Sequence, residues 1–159
     1  WRIENGELDG VNPKVIVFLG GTNDVGNGEK ASEITKRIAR IIEVCKGKAP
    51  KATIILTAIF PRNDNLSFLP VIDEANKGIA SFADGKRVRF LNVNAQLADE
   101  KGILKKGMTL PDQLHADLPC YRAWADGLRP ILAEFLGKRS KTDLAPPPTL
   151  NPALEKKGD

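Results

Sequence analysis

Histidine, cysteine and aromatic side chains are all scarce in this 159-residue chain: one His, two Cys, one Tyr, two Trp and six Phe. Two cysteines cannot build the multi-bridge framework of a disulfide-stapled domain. Neither Cys45 nor Cys120 sits in a CxxC or beside a histidine at zinc spacing, so no metal centre is expected. Two free buried thiols are favoured over one disulfide, and the compartment stays open. Long hydrophobic runs are missing too; none approaches the ~18 residues of a membrane span. Charge of one sign is not in large excess. Lys and Arg number 24 against 20 Asp and Glu, a scattered +4 that argues against a nucleic-acid partner. What remains is 42% apolar and 28% charged, the composition of one ordinary folded domain.

The sequence opens on Trp1-Arg2-Ile3-Glu4-Asn5-Gly6 without Met. A fragment or a processed chain is therefore expected, and the absence of a visible signal peptide carries little information.

Residues 14–19, Lys-Val-Ile-Val-Phe-Leu, form a continuous apolar run suited to a strand buried on both faces. It ends in Gly20-Gly21, and a glycine-rich loop is expected to Gly28. Ala31, Ile34, Ile38, Ile41, Ile42 and Cys45 then fall on one helical face, with Gly47 closing the helix. The cycle repeats. Residues 52–59 read as a second strand, Pro61 to Asn65 as a loop, and Ile72, Ala75, Ile79 and Phe82 as a helix. A third run, 87–93, alternates more and suits an edge strand. A long loop through His115 leads into a last helix, about Leu118 to Leu136, which Pro130 is expected to kink or restart.

Alternation of this kind implies right-handed crossovers and a parallel sheet covered by helices. Three strands are few, and the first wants neighbours on both edges. At least one further strand is expected upstream of Trp1. The folded domain is read as 1–139. The proline-rich 140–159, with Pro146-Pro147-Pro148, reads as a flexible tail.

In open α/β sheets ligands bind beyond the carboxyl ends of the strands. Two segments of unusual composition fall there. One is Gly20-Gly21-Thr22-Asn23-Asp24; the other is Asp112-Gln113-Leu114-His115. Asp112 precedes His115 by about one turn, so its carboxylate can reach the ring, fix the tautomer and leave the other nitrogen as a base. Taken alone, the pair reads first as an Asp at a helix start beside a surface His. Gly21 removes bulk where a substrate approaches the backbone. Asn23 offers an uncharged N–H to an oxyanion. Taken alone, that segment reads as a turn. A phosphate cradle is disfavoured. Asn27 and Gly28 stand where Lys and Ser/Thr belong, and Asp24 and Glu29 repel a pyrophosphate.

Together and in this order, Gly21-Thr22-Asn23-Asp24 and Asp112 to His115 resemble the third and fifth blocks of the GDSL esterase/lipase family, also called SGNH hydrolases. Trp1 to Leu8 is similar to the stretch after the second block. Pro61-Arg62 and Tyr121-Arg122-Ala123-Trp124-Ala125 resemble the branch of platelet-activating-factor acetylhydrolase subunits. The resemblance spans roughly residues 1–137. It implies a flavodoxin-like three-layer α/β/α fold with a parallel sheet, whose first strand or strands are not in this chain. It also implies a Ser–His–Asp ester hydrolase that needs no metal or organic cofactor.

By that resemblance Asn23 is the oxyanion donor, His115 the base and then the acid, and Asp112 its orienting partner. Gly21, Thr22 and Asp24 bind substrate. The substrate is a small ester, an acetylated sugar or a short-chain lipid ester. The family's Gly-Asp-Ser nucleophile block has no counterpart here: Ser32, Ser67, Ser81 and Ser140 lack its context. The chain alone is thus expected to be nearly inert. Gln113 stands where the family frequently has Gly, and Cys120 where Gly commonly precedes the Tyr. The rival from another class is a non-catalytic glycan- or protein-binding module on the same fold, which would need the cleft but no serine.

Overall fold

The computed structural model describes residues 1–138; the expected tail at 140–159, Ser140 included, lies outside the described residues. The elements are β1 (Val15–Phe18), α1 (Thr22–Gly26), α2 (Ala31–Lys48), β2 (Thr53–Thr57), α3 (Leu69–Ala80), β3 (Val88–Leu91), α4 (Asn94–Leu97) and α5 (Leu118–Leu136). Short 3-10 turns occupy Ile3–Asn5 and Leu66–Phe68.

The three strands are parallel, in the order β1-β2-β3. Val15 lies opposite Thr53, and Ile54 opposite Val88. β2 is buried at all five positions, as its unbroken run of Thr, Ile and Leu predicts for a strand covered on both faces. Side chains alternate along it. Ile54 and Leu56 join Ile34, Ile38, Ile42, Ile72 and Ile79 in a core beneath α2 and α3. Thr57 faces the other layer, where its hydroxyl accepts a hydrogen bond from Trp124 Nε1 of α5 at 3.1 Å. A second core of Val93, Leu97, Leu104 and Cys120 fills that side. The architecture is therefore α/β, a parallel sheet between two helical layers. Both cysteines are free and buried, as expected. Among the described residues no helix is long and apolar enough to cross a membrane.

Four local expectations are corrected. The first concerns the burial of β1, which pairs with β2 among the described residues. Its residues are half-buried and Val17 is exposed, so the strand is not covered on both faces. The glycine-rich stretch after it contains the helix α1. Gly21 at φ 107° turns the chain into that helix, and Val25, 1% exposed, anchors it in the core. Gly47 lies inside α2, which ends at Lys48 and is capped by Ala49, a core residue whose N–H bonds to Cys45 O. α5 is helical from Leu118 to Leu136 and does not restart at Pro130. Both Pro130 and the residue four before it, Asp126, are exposed, so water can take the carbonyl that the proline leaves without a donor. β3 is an edge strand among the described residues, as its alternation predicts.

Candidate active site

A hollow of about 210 Å³ opens at the carboxyl ends of the strands. Three stretches of chain wall it. Leu19, Thr22 and Asn23 follow β1; Phe60, Pro61 and Arg62 follow β2; Leu114, His115, Ala116 and Tyr121 precede and begin α5.

The histidine stretch is a narrow antiparallel loop. Leu110 N–H donates to His115 O at 2.8 Å, Asp117 N–H donates to Met108 O at 2.9 Å, and Thr109 bridges Ala116. Asp112 organises its tip. One carboxylate oxygen accepts the Leu114 and His115 backbone N–H groups, each at 2.9 Å. The other lies 2.6 Å from His115 Nδ1. The ring's hydrogen bond, aided by the two backbone donors, holds the Asp112 carboxyl down to about 2. Asp112 is thus an anion near neutrality and can only accept, so in the neutral ring Nδ1 carries the proton and Nε2 the lone pair. The His115 side chain is 71% exposed, and Nε2 has no hydrogen-bond partner among the described residues.

Asn23 sits in the first turn of α1 and is exposed. Its side-chain amide likewise has no partner among the described residues. An imidazole with a free nitrogen and an amide with free N–H groups therefore line one hollow. Thr22 lines it too. Asp112 stands behind His115 and does not line it.

The other two sequence-predicted substrate residues are placed differently. A side chain on Gly21 would point inward, its Cβ 2.7 Å from Ile59 Cδ1 and 3.2 Å from Ile34 Cγ2. The glycine makes room for the core and a left-handed turn. Asp24 pairs with Arg37, which also binds Glu29 at 2.7 Å, and does not line the hollow. None of the described serines reaches it either. Ser32 is on α2, Ser67 bonds to Asn65, and Ser81 ends α3 with its hydroxyl on Gly78 O.

A larger hollow, about 520 Å³, opens at the opposite ends of the strands, among Pro13, Lys14, Ala49, Lys51 and Phe135. Lys14 and Lys51 line it, and no imidazole, carboxylate or thiol does.

The model of the GDSL-like lipase/acylhydrolase family matches residues 1–123. The chain belongs to that family. It is 27% identical over 157 residues to the bovine (Bos taurus) platelet-activating factor acetylhydrolase IB subunit alpha1, covering 96% of this chain and 65% of the relative. It is 34% identical over 105 residues to the Drosophila melanogaster platelet-activating factor acetylhydrolase IB subunit beta homolog, covering 66% of this chain and 44% of that one. A solved member of the lipolytic G-D-S-L family from Veillonella parvula superposes with a TM-score of 0.68 at 19% identity, over 83% of this chain and 71% of that structure. That likeness is one of fold. The chain spans less than two thirds of the length of these curated relatives.

Two departures from the family pattern have visible consequences. Gln113 adopts φ 61°, the one non-glycine residue in the left-handed region among the described residues. Cys120 is 2% exposed in the second core, and burial pushes its thiol up to about 11, which suits packing rather than reactivity.

Three residues without a site role in the sequence reading lie on the wall of the hollow (Arg62) or brace the chain behind it (Asn63 and Asn76). Arg62 is 6% exposed, forks onto Asp64 at 2.7 and 2.5 Å, and lies 5.0 Å above the Phe68 ring. Asn63 exchanges two hydrogen bonds with Leu104, at 2.9 and 3.1 Å. Buried Asn76 satisfies both the N–H and the C=O of Ile59, at 2.7 and 2.9 Å. Arg62 and Asn63 show in the sequence through the Pro61-Arg62 resemblance and a polar run after a strand; Asn76, on α3, has no such signal.

Proposed function

We propose that this chain is the carboxyl-terminal part of an ester hydrolase that works by acyl transfer through a serine. The serine comes from a segment outside these 159 residues and enters the hollow between Asn23 and His115. His115 Nε2 takes the serine proton as Oγ bonds to the ester carbon. Asn23 donates its amide N–H to the oxyanion that forms. The imidazolium then protonates the departing alcohol, and water repeats the cycle to release the acid. Asp112 holds the ring in the required tautomer throughout. The substrate is a small ester, an acetylated sugar or a short-chain lipid ester.

The observation that carries this reading is the hollow itself, with an imidazole nitrogen and an amide on its wall that have no partner among the described residues. A second reading, a binding module without catalysis, is favoured by the lack of a described serine on that wall.

The test is p-nitrophenyl acetate hydrolysis by this chain and by a form extended at its N-terminus through a Gly-Asp-Ser-bearing strand. The extended form is expected to turn the ester over. His115→Ala should remove most of that rate, because triad members act as a unit. Robust turnover by the 159-residue chain, lost in His115→Ala, would refute the external serine. An inert extended form of correct fold would favour the binding module.

A further inference from the structure

The loop after β2 touches both halves of the hollow through two consecutive residues. Arg62 donates from a guanidinium nitrogen to Thr22 O at 3.0 Å, the carbonyl of the peptide that leads into Asn23. Asn63 donates its backbone N–H to Gln113 O at 3.0 Å, inside the loop that carries His115. Thr22 and Arg62 are 40 residues apart in sequence, so this is a tertiary link.

We infer that Arg62 is a positioning residue that, with Asn63, sets where Asn23 stands relative to His115. Arg62 can do so because it is itself immobilised. Both Asp64 oxygens grip its fork, Phe68 packs beneath it, and the side chain is buried. A rigid fork of this kind holds geometry better than a flexible ammonium. α1 needs such a hold. It has five residues, far below the length at which a helix is stable alone. Gly26, at its other end, packs directly over the guanidinium; a Cβ there would lie 3.1 Å from the Arg62 nitrogen that holds Thr22. Asn63 is fixed from behind by its paired bonds to Leu104.

The inference rests on the hydrolase reading for its purpose, but its test does not require turnover. Amide hydrogen exchange is followed in the 159-residue chain. Val25 and Asn27 N–H groups report α1, because they bond to Gly21 O and Asn23 O. Leu114 and His115 N–H groups report the other side, because they bond to Asp112. In Arg62→Ala the α1 amides should exchange about tenfold faster, the worth of one charge-assisted hydrogen bond, while the Leu114 and His115 amides shift by less than about twofold. Guanidinium ion at low, non-denaturing concentration should refill the gap and restore α1 protection; sodium should not.

An equal rise at every amide, or no rise in α1, or no restoration by guanidinium overturns the inference. If Arg62→Ala does not fold, Gly26→Ala decides. Helix propensity alone predicts slower exchange in α1 for that substitution. Displacement of the guanidinium predicts faster exchange, and slower or unchanged exchange overturns the inference. A positive result here with no ester turnover in any form would leave the positioning intact and sink the hydrolase reading alone.

Discussion

Gly21 is where the sequence suggests substrate and the structure shows core, and the difference can be measured. Alanine at this position faces two costs. The backbone is at φ 107°, a region that costs an L-residue about 1–2 kcal/mol. The new Cβ would lie 2.7 Å from Ile59 Cδ1 and 3.2 Å from Ile34 Cγ2, and overpacking of this kind costs about 1–3 kcal/mol. Ile59 cannot retreat easily, because Asn76 holds its backbone at both N and O. Gly21→Ala should therefore lower the unfolding free energy by about 2–5 kcal/mol, a large share of a domain's total. Urea unfolding at low protein concentration measures it.

The cause is then isolated by a double-mutant cycle. Ile59→Val deletes the offending Cδ1 at a cost of about 0.5–1.5 kcal/mol by itself. Together the two substitutions should cost less than their sum by about 1–2 kcal/mol, since both act on one contact. Additivity within about 0.5 kcal/mol would show that the clash is not what Gly21 avoids. A cost for Gly21→Ala of less than about 0.5 kcal/mol would remove the core role altogether.

Two further outcomes concern the histidine loop. Asp112 is lowered from 3.8 to about 2, first by His115 and then by the Leu114 and His115 backbone N–H groups. Its contribution to holding the loop is complete above 3.8 and lost as pH falls through about 2. The Asp112 carboxyl carbon, followed by NMR, should titrate near 2; in His115→Ala the midpoint should rise but stop short of 3.8, because the backbone donors remain. A midpoint at 3.8 in the parent chain would contradict the hydrogen-bond geometry. Gln113→Gly relieves a left-handed residue and should stabilise the fold by up to about 1 kcal/mol, after glycine's larger loss of backbone freedom. A destabilisation in urea unfolding would mean that the Gln113 side chain supports the loop.

Much of the frame could be read in advance because its signals are local. The β2 run of Thr53 to Thr57 and the spacing of Ile34, Ile38 and Ile42 each declare an element within a few turns of chain. The Asp112 to His115 spacing is equally local, and the carboxylate does meet Nδ1. What could not be read depends on distant partners. Five residues are too few to show a helical period, so α1 looked like loop. Gly21 and Asp24 read as substrate contacts because neither Ile59 nor Arg37 can be placed beside them without the tertiary fold. Arg62 belongs to the Pro61-Arg62 resemblance, but its bond to Thr22, 40 residues away, needs the tertiary fold to be seen.

The central claim is that the Asn23 amide and the His115 imidazole act on one reacting ester in the hollow they share. The most direct measurement is kcat for p-nitrophenyl acetate in the serine-bearing extended form carrying Asn23→Ala. Loss of a single oxyanion donor predicts a fall of about 10²–10³-fold with KM nearly unchanged. An undiminished kcat, in a form that still depends on His115, would place the oxyanion elsewhere and contradict the account.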